Sequence, residues 1–83
     1  MTLQAILSRK RYIKWMRKFA VILKELRDDK NLTQTELAIK LGFNSRTVIA
    51  NWESGKRMPD VENLKLIARF FGVRIDYLVG LET

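Results

Sequence analysis

Cysteine and histidine are both missing from the 83-residue chain, and proline occurs once. Without cysteine there is neither a disulfide framework nor a thiolate metal site. Without histidine the usual general base and the commonest metal ligand are gone, so only carboxylates remain for acid–base work or for a hard cation. Glycine and proline together fill five positions, whereas apolar residues make up 47%. That balance argues against general disorder and for one compact, mostly helical domain, near the size at which a single core suffices.

Long hydrophobic runs are lacking too. The longest, Phe19 to Leu23, sits between Lys18 and Lys24, far short of the roughly 18 to 20 residues of a spanning helix. At the N-terminus Leu3, Ala5, Ile6 and Leu7 precede a basic cluster, the reverse of the order in a secretory signal. A soluble, cytoplasmic protein is expected, with membrane partners disfavoured.

Acidic charge is absent from one region in particular. Arg9, Lys10, Arg11, Lys14, Arg17 and Lys18 give the first 18 residues +6 with no acid, whereas the remaining 65 carry 10 bases and 9 acids. The net charge of +7 therefore belongs to an N-terminal extension, residues 1–18, and a nearly neutral domain follows over 19–83. Such an extension suits a polyanion, but charge alone does not separate nucleic acid from an anionic membrane surface.

What is present reads as helices. Ile6, Ile13, Met16, Ala20, Leu23 and Leu26 recur at spacings of three, four or seven, predicting one long helix or two in sequence over residues 3 to 29. Asp28-Asp29-Lys30-Asn31 reads as the turn. Thr33-Gln34-Thr35-Glu36 is a capping box, opening a helix to about Leu41 with Leu37, Ala38 and Leu41 inward and Gly42 as its stop. Ser45 can cap a helix from about Arg46 to Glu53, which Gly55 ends. Asp60 caps another, with Leu64, Ile67, Ala68 and Phe71 inward and Gly72 as its stop. A short helix from Ile75 to Val79 follows.

Two short helices joined through Gly42 form a helix-turn-helix pattern. Ile49 and Trp52 lie on the inward side of the second helix, while Arg46, Thr47, Ala50 and Asn51 project outward. In this motif the N-terminal half of the second helix enters the DNA major groove. Arginine can pair bidentately with guanine, asparagine with adenine, and a threonine methyl can meet the thymine methyl. Gln34, Ser45, Ser54, Lys56 and Arg57 are the candidates for holding phosphate without reading sequence. No constellation of acid, base and nucleophile appears, so neither an enzyme, a cofactor nor a metal is expected.

From about Leu23 to Gly80 the chain resembles the Cro/repressor-type (XRE) helix-turn-helix family. The carriers are Leu26-Arg27, Leu32-Thr33-Gln34, Glu36-Leu37-Ala38, Leu41-Gly42, Ile49, Asn51 to Arg57, Pro59, Phe71-Gly72-Val73 and Asp76-Tyr77-Leu78. The resemblance implies an all-α, five-helix lambda-repressor-like domain, here with an N-terminal basic helical extension. It implies base reading by Arg46, Thr47 and Asn51, and for Gln34 both phosphate contact and support of the reading helix. It also implies a structural salt bridge between Arg27 and Glu53, and a homodimeric transcriptional regulator, most often a repressor, on a pseudo-palindromic operator.

One departure leaves the register open. The family commonly has one residue fewer between the positions of Gly42 and Trp52. Anchoring on Trp52-Glu53-Ser54-Gly55, where a core contact and a helix stop constrain the chain more than a turn does, puts the extra residue in the turn Phe43-Asn44-Ser45 with Ile49 buried. If it lies inside the helix, Val48 is buried and Ser45 joins the reading face. Residues 1–18 also stay open: a DNA arm, an interfacial helix carrying Ile13, Trp15 and Phe19, a pairing surface, or a helix folded onto its own domain. A protein- or membrane-docking module using the same fold, with residues 1–18 as the contact, is the alternative function.

Overall fold

The computed structural model describes residues 3–81, with side chains from Ile13 onward. Five α-helices run in order: α1 (Leu3–Asp29), α2 (Gln34–Lys40), α3 (Thr47–Glu53), α4 (Val61–Phe71) and α5 (Ile75–Leu78), with no strand among the described residues. The first helix is a single unbroken element of 27 residues. At 1.5 Å per residue it is about 40 Å long, which matches the 42 Å long axis of the molecule. The boundary between residues 18 and 19 therefore falls inside a continuous helix. It marks a change in burial: Phe19 is the first buried side chain described.

Helices of 7, 7 and 4 residues, as in α2, α3 and α5, are too short to persist alone in water. Packing holds them. Phe19, Leu23, Leu37, Ile49, Ile67 and Leu78 are each fully buried, and each contributes about 1.5 to 3 kcal/mol. α1 packs across α3 and α5, α2 packs on α3, and α4 packs on α5. Trp52 joins the layers, with its ring edge-on to Phe19 at 6.4 Å and to Phe43 at 5.7 Å.

Burial resolves the register. Ile49 is fully buried and Val48 only half-buried, so the extra residue lies in the turn. Phe19 was missing from the expected apolar stripe of α1. Its burial removes it from any interfacial surface, while Ile13 and Trp15 stay exposed at 47% and 43%. Ile6 lies outside the described side chains.

Local chemistry sets the helix ends. Thr33 and Glu36 form the reciprocal capping box of α2, and the Asp60 carboxylate accepts from the Asn63 N–H to start α4. α3 starts one residue later than expected, at Thr47, with Arg46 at its N-cap position and no side-chain cap of its own there. Ser45 instead accepts from the Thr47 N–H at 3.1 Å, closing the turn from one residue further back. Gly80 faces two constraints: its φ is 77°, and a β-carbon there would lie 3.2 Å from Cβ of Lys18 and collide with Cδ. The C-terminal end is thereby seated against α1.

Two measurements check this packing. Trp52→Ala should cost about 3 to 5 kcal/mol in chemical denaturation, and a melting temperature unchanged within a couple of degrees would contradict its core role. Glu36 is held below the usual carboxylate range, chiefly by the Thr33 N–H it accepts. A carboxylate depressed by folding stabilises above its unfolded pKa of about 4.3 and loses that contribution as pH falls through its lower folded value. The Glu36→Gln variant should therefore melt below the parent at pH 6, and the gap should close in strong acid.

Candidate nucleic-acid interface

The interface is organised from beneath by one ion pair. Arg27, near the end of α1, donates to Glu53 at the end of α3 through Nε at 2.6 Å and Nη2 at 2.9 Å. Its remaining nitrogen Nη1 donates to the Leu32 carbonyl at 2.7 Å. The side chains are 11% and 5% exposed, so the pair is largely removed from water. The hydrogen bond to Glu53 raises the arginine pKa further. A fork-to-fork pair of this kind has direction as well as strength. It joins α1, the turn after it and α3 at one point.

From that pair a chain of hydrogen bonds runs to the surface. Gln34 donates from Nε2 to Glu53 Oε1 at 3.1 Å, and its Oε1 accepts from Arg46 Nη1 at 3.0 Å. The amide orientation is fixed by its neighbours, since a carboxylate can only accept and a guanidinium can only donate. Arg46 is exposed, but it is tethered at the start of α3. A tethered arginine loses less rotamer freedom when it meets a base edge.

The other sequence candidates lie nearby in different states. Thr47 is exposed, and its hydroxyl oxygen accepts from Ser45 at 3.0 Å. Ala50 and Asn51 are half-buried on the same helix. The Asn51 carbonyl accepts from the Ser54 hydroxyl and from the Lys56 and Arg57 N–H groups at 3.0 to 3.2 Å. Among the described residues its side-chain amide has no partner, and the exposed side chains of Lys56 and Arg57 have none either. The hydroxyls of Ser45 and Ser54 are thus engaged locally, whereas Arg46, Asn51, Lys56 and Arg57 have donors to offer. Gln34 uses both ends of its amide inside the protein, which makes it a positioning group for Arg46.

Asn51, Lys56 and Arg57 also line an open trough of about 600 Å³ with Met16 and Met58. Nothing in the local sequence signals this neighbourhood, because Met16 comes from α1, far away along the chain. Among the described residues no group of acidic side chains could hold a metal ion. No helix there is long and apolar enough to cross a membrane.

Comparison with known proteins agrees with this geometry. Residues 23–78 match the helix-turn-helix family model. The chain is 53% identical over 60 residues to the HTH-type transcriptional activator BcrR of Enterococcus faecalis, an alignment covering 72% of this chain and 29% of that protein. It is 48% identical over 54 residues to the HTH-type transcriptional regulator MJ0272 of Methanocaldococcus jannaschii, covering 65% of this chain and 80% of the relative. It is 34% identical over 62 residues to the phage transcriptional repressor RstR of Vibrio cholerae, covering 75% and 55% respectively. The chain thus spans under a third of the first relative and about half of the repressor. No solved structure matches.

Removing the charge under this surface should be costly. Glu53→Gln leaves Arg27 charged and mostly out of water, and should destabilise the domain by about 3 kcal/mol in urea unfolding. A loss below about 1 kcal/mol would mean that the pair is dispensable.

Proposed function

The chain belongs to the Cro/repressor-type helix-turn-helix family, and on that footing we propose that it is a sequence-specific regulator that reads double-stranded DNA as a homodimer. α3 enters the major groove, with Arg46, Thr47, Ala50 and Asn51 toward the base edges. Lys56 and Arg57 hold phosphate beyond the helix end and set its orientation without reading sequence. The observation that carries this reading is the tether of Arg46 through Gln34 to the Arg27–Glu53 pair. It fixes a strong hydrogen-bond donor at the N-terminal end of the presented helix, where major-groove readers place theirs.

A two-fold dimer would meet two half-sites about one helical turn apart on a pseudo-palindromic operator. Occupying a site that overlaps a promoter would repress by exclusion. The activator name of the Enterococcus relative favours a second outcome of the same contact, activation from a site upstream. A reporter carrying the preferred site at either position distinguishes the two.

On the preferred duplex, Arg46→Ala and Asn51→Ala should each cost about 1 to 3 kcal/mol of binding and relax the preference at one position. Replacing Lys56 and Arg57 by glutamine should instead weaken all sequences alike and flatten the salt dependence by about 0.9 per lost phosphate contact. Titration of both classes against the preferred and a scrambled duplex checks the division. Equal losses on both duplexes for Asn51→Ala would contradict base reading.

A further inference from the structure

The sequence holds no acid before Glu25, yet seven lysines and arginines precede it. The family match begins only at residue 23, so most of this basic segment lies outside what the family model describes. Its backbone is nonetheless helical from Leu3, continuous with the part of α1 that enters the core. Lys24 pairs with Asp28 at 2.9 Å, but the three described cations ahead of Phe19, Lys14, Arg17 and Lys18, are exposed. None has a side-chain hydrogen bond or ion pair among the described residues. Lys14 and Arg17 are three apart and so share one face of the helix.

Where this helix leaves the domain matters as much as its charge. Met16 lines the trough that also holds Asn51, Lys56 and Arg57. The basic part of α1 therefore departs beside the C-terminal end of the reading helix and beside the two exposed cations that follow it. From this geometry we infer that the N-terminal half of α1 is a second DNA-contacting element, a rigid arm that neutralises phosphates next to the base-read segment. The inference rests on the DNA reading proposed above.

The charge also selects among occupants. A second copy of the same segment would bring two sets of cations together, and like charges at close range repel. A duplex offers the complement: one negative charge for every ~1.7 Å of its axis. The sixteen helical residues ahead of Phe19 extend about 24 Å, so even partial alongside contact passes several phosphates. Because the arm meets only backbone, it adds affinity and salt dependence but no sequence preference.

The test compares the chain with its Lys14→Gln, Arg17→Gln double variant. Lys18 is left intact because it packs on Gly80. Both positions are exposed, and a matching thermal melt verifies the fold of the variant. Binding to the selected duplex is measured across a salt series. The arm predicts that the slope of log K against log salt falls in magnitude by about 1 to 2. It also predicts an equal weakening on a scrambled duplex and an unchanged preferred motif. The charge-conserving Lys14→Arg, Arg17→Lys variant should keep the parent slope. An unchanged slope in the glutamine variant, on a duplex that the parent still selects, overturns the arm and leaves the base reading intact. Binding to phosphatidylglycerol vesicles that the glutamine variant loses, with its DNA slope unchanged, overturns the arm in favour of a membrane surface. A parent chain that selects no motif overturns the reading on which the arm rests.

Discussion

The contact between Arg27 and Glu53 is the constraint on which the presented surface depends. One guanidinium uses three nitrogens to hold the end of α3 and the turn after α1. A pair so far removed from water gains little net stability over an apolar replacement, yet breaking it leaves Arg27 with only the exposed Asp28 carboxylate at 3.4 Å to offset its charge. Its value is direction. The hydrophobic core of Leu23, Leu37, Ile49 and Trp52 brings α1, α2 and α3 together and sets which side of α3 faces inward. The bidentate pair adds a directional contact between α1 and the end of α3, and Gln34 links it to Arg46.

This arrangement divides labour along α3. Its inward residues, Ile49 and Trp52, fix the helix in the core. The N-terminal Arg46 is held by a neighbour, whereas the Asn51 side-chain amide has no partner among the described residues. Such an amide is costly to bury unless a ligand completes its bonds. Charge is divided as well: the domain around the ion pair is close to neutral, and the surplus cations lie on α1 ahead of the core. On the proposed reading, affinity from the helix and discrimination from the domain would be adjustable independently.

Much of this was legible in the sequence because the signals were local. The Thr33–Glu36 capping box, the Asp60 cap and the stops at Gly42 and Gly72 depend on residues a few positions apart, and the structure places each as expected. The turn-length departure was visible too, and the burial of Ile49 over Val48 agrees with its placement in the turn. Two features escaped, and a third was legible only through the resemblance. Phe19 fell outside the stripe traced through Ile13 and Met16, because the apolar side of α1 widens where two helices meet it. For Gln34 the family resemblance implied support of the reading helix, but the partners that give it that role lie 12 and 19 residues away, beyond local spacing. The trough shared by Met16 and Asn51 joins residues farther apart still. Long-range juxtaposition is set by packing, which no local spacing encodes.

The central claim is that the exposed side of α3 reads bases from a surface fixed by the ion pair. Selection from random duplexes, run in parallel on the parent chain and on the Arg46→Ala, Asn51→Ala double variant, tests it most directly. The account predicts an enriched, two-fold symmetric motif that the double variant no longer recovers. Salt-sensitive binding with no enriched motif, identical in both proteins, would contradict it and place the affinity in the basic helix alone.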